Sequence, residues 1–528
     1  MSRRDLAVLF VVALVVRTAA ALLVDYPPYT DPAYYFLVAE RLADGQGFTT
    51  PVLWSFLEVG GRLPANPMLP VPSNGHWMPL TSVVAAASVA IFEPMLGGWR
   101  AAQLPFVLLS AALVPFTYLI GWELWRSRQV ALSAGLLALL AGPFLVLYPQ
   151  VNNIAVFGAA GAGAIWCAVR AVAATRLFWW LVASGALAGV ATLTRVDGLL
   201  LAIAPAVAWW VRPDRRTLAA AIASAAAFLV VLGPWLLRDL VVFGAPFPSA
   251  GGHTLWITTY NEQFSIGTDP SFGRYLAWGL PNIVLSKLAA WGELLGRVAV
   301  LMGGFFILPL AWGLWSERRR PELAPFMAYA AVVFVVMGLV LTFHAPKGAF
   351  YHSAGAWLPF ALPLAVASVP GAATAAGWWW PFLRRPATHR FLLGAALAGA
   401  VVLSLAGSAV LLSQWRAAHD RLALAADFLR ENVAPTDRVM AYDPAAVHAL
   451  TSNPGVAPPF DPFEQVGRVV DAYDVRWVVV TLAPGEVRDP LGLWDGAAGT
   501  DAAGEHPAFL PAAPAYEAPG VRVYEVLR

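Results

Sequence analysis

Eleven stretches of this 528-residue chain are apolar for about the length, roughly 20 residues, that carries an α-helix through a bilayer. They run approximately Leu6–Val24, Leu104–Trp125, Val130–Tyr148, Ile154–Ala174, Trp179–Thr194, Leu199–Val211, Leu218–Leu237, Leu294–Leu314, Pro325–Phe343, Ser353–Val369 and Phe391–Leu412. A lipid core offers no partner to backbone N–H and C=O groups, so such stretches have to be helical. The fold class that follows is a polytopic α-helical membrane protein of about 11 transmembrane helices. The fifth and sixth stretches are short and are joined by Thr194-Arg195-Val196-Asp197-Gly198, so they could instead form one broken hairpin. Leu80–Phe92 is too short to span and reads as an interfacial or re-entrant helix.

Composition agrees. Apolar residues make up 59% of the chain and charged residues 12%, and the mean hydropathy is +0.64. A soluble domain carries roughly 25% charge, so a soluble enzyme, a disordered chain and a secreted disulfide scaffold are all excluded. Cys167 is the only cysteine, which forbids an internal disulfide and any Cys-based zinc cluster. The net charge is +2 with no long basic run, and no nucleic-acid partner is expected.

Short Arg-rich loops stay cytoplasmic. Arg3-Arg4, Arg126/Arg128, Arg176, Arg212/Arg215/Arg216, Arg318-Arg319-Arg320 and Arg384-Arg385 fall at alternate loops and share one side if the N-terminus is inside. Eleven crossings then put the C-terminus outside. The opening residues could also be a signal peptide cleaved after Ala19-Ala20-Ala21, although Arg17 would interrupt its apolar core. Trp378-Trp379-Trp380 reads as an aromatic belt at the cytoplasmic interface.

Three polar segments are left on the outer side: a first loop over 25–100, a second over 238–291, and the tail from Gln414 to Arg528. Residues 1–413 therefore read as a transmembrane domain and 414–528 as a small extracytoplasmic α/β domain. In the tail, Trp415–Asn432 has helical spacing, Arg438–Tyr442, Trp477–Leu482 and Val521–Val526 are β-rich, and Pro462–Tyr473 reads as a helix. Ala483–Pro519, rich in Pro, Gly and Ala, reads as loop.

The stretch after the first span is the most informative. In Tyr29-Thr30-Asp31-Pro32, either Thr30 or Asp31 can cap a helix that has Pro32 at its first position. Tyr35, Val38, Ala39 and Leu42 then share one face, and Gly45 ends an amphipathic helix lying at the membrane surface. Taken on position alone, Asp31 is an ordinary cap.

Asp31, Tyr34-Tyr35 and Gly45-Gln46-Gly47 after the first span resemble the acidic motif, amphipathic helix and Gly-x-Gly turn of the GT-C superfamily of membrane glycosyltransferases, in particular relatives of the protein O-mannosyltransferases and the lipid A aminoarabinose transferase. Pro32 stands where that family has a second acidic residue. His76-Trp77-Met78-Pro79-Leu80 is similar to the family's His-Pro-Pro-Leu segment, lacking its first Pro. Pro234-Trp235-Leu236-Leu237-Arg238 with Phe243-Gly244-Ala245-Pro246, and Leu193-Thr194-Arg195-Val196-Asp197-Gly198-Leu199, are similar to segments of bacterial members. His344-Ala345-Pro346-Lys347 to Tyr351-His352 stands where many members carry a basic residue and a Tyr.

The resemblance implies a sugar donor carried on a polyprenyl phosphate and an inverting transfer to a lipid, glycan or protein acceptor. The setting would be the outer face of a bacterial cell membrane, among its lipids. Such a step needs one carboxylate to take the acceptor's proton, which makes Asp31 the candidate base. It needs cations for the phosphate, which makes Arg238 and Lys347 candidates, although both could simply snorkel to the interface. Tyr35, His76, Arg195, Tyr351 and His352 are candidates for the substrate pocket. Arg195 and Asp197 could equally pair with each other across a hairpin turn, and His76 could be only an interfacial aromatic. No cofactor is expected. His344 and His352 could join Asp31 around a divalent metal, but no recognised ligand spacing supports it. A transporter or flippase for a lipid or small solute is the alternative, although no repeat relates the halves. An inactive scaffold is a third reading.

Overall fold

The computed structural model describes residues 2–140, 142–173, 177–248, 253–481 and 507–528. Arg176 and residues 482–506, most of the expected Ala483–Pro519 loop, lie outside the described residues. The helices are α1 (Arg3–Leu22), α2 (Thr30–Ala43), α3 (Leu80–Leu96), α4 (Gly98–Trp125), α5 (Arg128–Leu140), α6 (Phe144–Leu147), α7 (Asn153–Ala173), α8 (Leu177–Thr194) and α9 (Ile203–Val211). They continue with α10 (Arg215–Phe243), α11 (Phe272–Ala277), α12 (Leu280–Leu301), α13 (Ile307–Ser316), α14 (Ala324–Leu339), α15 (Ala349–Ala376), α16 (Pro386–Asn432), α17 (Pro444–Thr451) and α18 (Phe463–Ala472).

Among the described residues eight helices are long and apolar enough to cross a membrane: α1, α4, α7, α8, α10, α14 with the turn before it, α15 and α16. The other three expected stretches are interrupted. The third breaks between α5 and α6, at Gly142, whose φ of 50° lies in the left-handed region, and Pro143, which has no N–H to continue a helix. The sixth opens as a 3-10 segment, Val196–Ala202, before α9. The eighth is split between α12 and α13 at Gly303 and Gly304. Leu80–Phe92 lies in α3, a 17-residue helix.

Arg17 explains how the α5–α6 break is tolerated. It is fully buried in the last third of α1. Its guanidinium donates to the carbonyls of Phe144 at 3.0 Å, Leu145 at 2.9 Å and Ala138 at 3.2 Å. These are carbonyls at and beside the break, which lipid could not hydrogen-bond.

At the C-terminal end of α1, Arg100 donates to the carbonyls of Ala21 at 2.6 Å and Val24 at 2.9 Å, and Trp99 Nε1 to that of Val24 at 3.0 Å. The first turn of α4 thus caps α1 and fixes where the chain enters α2. Small residues set a second junction. A Cβ on Gly158 of α7 would lie 3.3 Å from the Gly355 carbonyl oxygen of α15, and one on Gly161 would lie 2.6 Å from the Ala356 Cβ. That close approach, typical of small residues facing each other between membrane helices, brings the starts of α7 and α15 together.

The tail forms a mixed sheet. Its strands are β2 (Val52–Leu53), β4 (Arg438–Ala441), β5 (Gly455–Val456), β6 (Val475–Thr481), β7 (Tyr516–Ala518) and β8 (Val521–Glu525), in the order β2-β5-β4-β6-β8-β7. β2-β5-β4-β6 are parallel and β6-β8-β7 antiparallel. A separate short pair joins β1 (Thr49–Thr50) to β3 (Val71–Pro72). Side chains alternate across the large sheet. Met440, Val478 and Tyr524 pack with Val466 and Val469 of α18, while Val439, Ala441 and Val523 pack with Ala425 and Leu429 of α16. The first loop supplies β2, and α16 runs without a break from the apolar bundle into the sheet's second face.

Candidate active site

α2 begins differently from the sequence reading. Its N-cap is Tyr29, in extended backbone and with no side-chain capping bond, so neither Thr30 nor Asp31 serves as the cap. The helix starts at Thr30, so Pro32 is its third residue and not its first; it still lies in the first turn with Asp31, where a Pro lacks nothing the helix needs. Gly45 and Gly47, both at positive φ, turn the chain after α2 ends at Ala43. Asp31 lies within electrostatic reach of the Tyr29 and Tyr35 phenols. Tyr35 is fully buried one turn further on. Burial and then Asp31 raise its phenol well above the ordinary range, so it acts as a neutral hydroxyl.

Asn153, the first residue of α7, donates from Nδ2 to the Tyr35 hydroxyl at 2.9 Å. Its Oδ1 is hydrogen-bonded to Nδ1 of His352 on α15. Next to His352, the Ser353 hydroxyl donates to Asp197 Oδ2. Asp197 Oδ1 accepts from Arg195 Nε at 2.9 Å. Two hydrogen-bonded strings, Tyr35–Asn153–His352 and Ser353–Asp197–Arg195, meet at the neighbouring residues His352 and Ser353 and so form one polar chain across α2, α7, α15 and the segment after α8. The Arg195–Asp197 pair expected from the sequence is present, and both residues also face this chain. The terminal nitrogens of Arg195 make no hydrogen bond among the described residues, and the side chain is 18% exposed. Its charge reaches Tyr35, His76, His344 and His352.

His76 sits against Trp54, whose ring stacks on Trp77 with centroids 4.0 Å apart. Burial, then the His344 and Arg195 charges, pull its imidazole down to about 3. His344 falls to about 4 by burial and then Arg195. Both rings are neutral at physiological pH. His344 Nε2 is 3.1 Å from Gln263 Oε1.

The other candidates lie apart from this chain. Arg238 is boxed by the rings of Phe48, Trp235 and Phe243, at 5.5, 4.6 and 5.0 Å. It pairs with Asp239 at 2.9 Å and donates to the Ser73 carbonyl at 2.9 Å, three residues before His76. Lys347 is exposed on the turn before α15. Tyr351 lies under Arg297, 5.0 Å from its ring centroid, and meets the Phe144 ring.

Sequence reading missed Asn153, Ser353 and Glu58. A lone Asn or Ser at a helix start looks like any cap. The available signal was Asn152-Asn153 heading an otherwise apolar span. Glu58 is 1% exposed in the first loop. The Tyr34 hydroxyl donates to it and accepts from the Asn74 N–H at 2.7 Å. Burial pushes its carboxyl up to about 8. Among the described residues no group of three or more His, Cys, Asp or Glu could hold a metal ion.

No protein-family model matches this chain. It is 26% identical over 250 residues to the undecaprenyl phosphate-α-4-amino-4-deoxy-L-arabinose arabinosyl transferase 2 of Proteus mirabilis (strain HI4320), an alignment spanning 44% of this chain and 39% of that relative. Its structure is similar to that of ArnT from Cupriavidus metallidurans bound to undecaprenyl phosphate, with TM-score 0.58 and 16% identity over 99% of this chain and 98% of that one. It is also similar to the Archaeoglobus fulgidus oligosaccharyltransferase, with TM-score 0.55 and 14% identity over 90% of this chain and 68% of that one. Arabinofuranosyltransferase AftD from Mycobacteria matches with TM-score 0.51 and 14% identity over 99% of this chain and 42% of that one. The fold is that of the GT-C membrane glycosyltransferases.

Proposed function

We propose that this chain, a multi-pass membrane protein with the GT-C fold, is an inverting glycosyltransferase that moves a sugar from a polyprenyl phosphate to an acceptor hydroxyl on the extracytoplasmic face of a bacterial cell membrane. The observation that carries the reading is the polar chain Tyr35–Asn153–His352 and Ser353–Asp197–Arg195, gathered beside Asp31 at one end of the apolar helices. On this reading the chain crosses the bilayer eleven times, counting the broken spans, with residues 1–413 in and around the membrane and 414–528 outside. The first loop, the sheet and the site then share the outer side.

The chemistry follows from the groups present. Asp31 takes the proton as the acceptor oxygen bonds to the sugar's C1. The C1–O bond to phosphate breaks and the phosphate leaves with the electron pair, so the configuration at C1 inverts. A phosphate needs no acid to depart, and one carboxylate is enough. Arg195 is the cation best placed to meet the charge that grows on the phosphate, because only Nε of its guanidinium is engaged and its planar fork suits phosphate oxygens. His76 and His344 wall the pocket as neutral groups, beside His352. Lys347, on its exposed turn, is placed to meet the lipid headgroup. Arg238 acts as a positioning residue, holding the strand that leads to His76.

The testing experiment offers the purified protein in nanodiscs a radiolabelled polyprenyl-phosphate sugar with candidate acceptors. Label appearing in the acceptor, and absent with Asp31→Asn, supports the reading. No transfer, or no hydrolysis of the donor in any lipid environment, would remove it.

A further inference from the structure

α2 has a second face. Asp31, Tyr35, Val38 and Leu42 lie on one side of it, and Ala33, Phe36 and Glu40 on the other. Behind that second side, among the described residues, is a cavity of about 550 Å³ between α2, the α3–α4 corner, α16 and the sheet. This is within the range of small-ligand sites. Tyr26 and His419 stack face to face at its wall, with ring centroids 3.7 Å apart and planes 11° apart. Trp99 adds a second aromatic surface.

Two carboxylates point toward the α3–α4 corner of this cavity. A Cβ at Gly98 would lie 3.4 Å from an oxygen of Glu40 and 3.4 Å from an oxygen of Glu93. Neither carboxylate has a hydrogen-bond donor or a cation among the described residues. The Glu40 carboxyl is pushed up to about 7 by burial, then by Glu93 and Asp44. The lining holds two further acids: Asp25, exposed at its edge, and Asp443, which is already committed, accepting from Thr30 Oγ1 at 2.8 Å and from the Ala446 N–H at 3.0 Å. The cavity therefore offers ring faces and, at its α3–α4 corner, two acidic hydrogen-bond acceptors that no donor engages among the described residues. Sugar hydroxyls and amines donate to carboxylates, and the C–H faces of sugars pack on aromatic rings. A carboxylate or phosphate ligand would be repelled.

We propose that this cavity is a second carbohydrate-binding site, across α2 from Asp31, taking an uncharged or amine-bearing sugar ring and refusing anionic ones. The choice of sugar as ligand rests on the transferase reading; the cavity's chemistry does not. Such a site would hold a ring of the acceptor remote from the reacting hydroxyl, or of the product.

Saturation-transfer NMR on the full chain in nanodiscs tests this, with methyl glucoside, glucosamine and glucuronate as probes. The first two should receive saturation and glucuronate should not. Glu40→Ala with Glu93→Ala should weaken binding at least tenfold. Ala449→Trp, which places a large ring at the cavity's exposed edge, should abolish it with an unchanged melting temperature. Asp31→Asn should bind the probes as the parent does, so loss of transfer and loss of this site are read separately. Equal binding of glucuronate, no binding of any probe to the parent, or undiminished binding to Ala449→Trp would overturn the proposal.

Discussion

The Asn153 side chain binds Tyr35 and His352 at once, donating to the Tyr35 hydroxyl at 2.9 Å while its carbonyl oxygen meets His352. A single amide thus sets the distance between α2 and the α7–α15 junction. Tyr35→Phe deletes one oxygen and leaves the Asn153 N–H without its acceptor, at a cost of about 1–3 kcal/mol for a buried group. We expect a small drop in melting temperature with a loss of transfer, kcat/KM falling about tenfold or more, because α2 carries the base. Steady-state kinetics beside a melting curve checks this. Unchanged kcat/KM with the lowered melting temperature would leave Tyr35 with a structural role only.

Asp31→Asn keeps the side chain's size and removes its basicity. General-base catalysis contributes typically 10²–10⁴-fold, and transfer should fall by about that much. Expression, membrane insertion and melting temperature should hold, since Asn keeps the side chain's volume and a hydrogen-bonding oxygen in place. A radiolabel transfer assay at matched protein levels decides it. Retained activity would remove the mechanism.

Arg195→Lys retains a charge and loses the planar fork. Its Nε bond to Asp197 would be lost or lengthened. We expect a higher KM for the lipid donor, a smaller kcat, and little change in acceptor KM. Arg195→Gln should be worse on both donor parameters. Equal effects on donor and acceptor would point to collapse of the Asp197–Ser353 connection instead.

The apolar runs were legible because lipid leaves a helix no alternative, and α2 was legible because Pro32 and Gly45 punctuate it. The breaks in the third and eighth stretches were not. Gly142, Gly303 and Gly304 are tolerated inside many apolar helices, and whether a break forms depends on a tertiary partner such as Arg17. β2 is two residues long and is a strand only through its pairing with Gly455 and Val456. Asp31, Tyr35, His76, Arg195 and His352 were picked out from the sequence and fall around one polar chain. Arg238 was picked out for its charge, yet its position inside three aromatic rings depends on side chains from two separate segments, which spacing along the chain does not reveal.

Arg238→Ala removes the cation from that box and the bond to the Ser73 carbonyl, and leaves Asp239 buried without its partner. Breaking a buried pair in this way costs about 3–5 kcal/mol. The variant should melt well below the parent, and Asp239→Asn added to it should recover part of the loss. The test is a double-mutant cycle by thermal denaturation. Additive losses would mean the pair contributes nothing specific.

Glu58 should give stability a pH dependence of known sign. Burial raises its carboxyl from 4.5 to about 8 in the folded chain. The native state holds that proton through a range where the unfolded chain has released it. The contribution is therefore complete below about 4.5 and is lost as pH rises through 8, with an upper limit of ~5 kcal/mol. His76 and His344 act in the opposite direction. Their folded values of about 3 and 4 lie below the ordinary 6.5, so their contribution is present above 6.5 and is lost as pH falls toward those values. Glu58→Gln keeps a neutral group at the Tyr34 hydroxyl and cannot ionise. Its melting temperature should decline less than the parent's between pH 6.5 and 8.5, keeping only the loss that Glu40, pushed up to about 7, contributes near that pH, while the acid side below 6.5 should still show the histidine loss. Thermal melts of the two proteins across that range decide it, and parallel curves above 6.5 would mean that the Glu58 proton is not the one the fold retains.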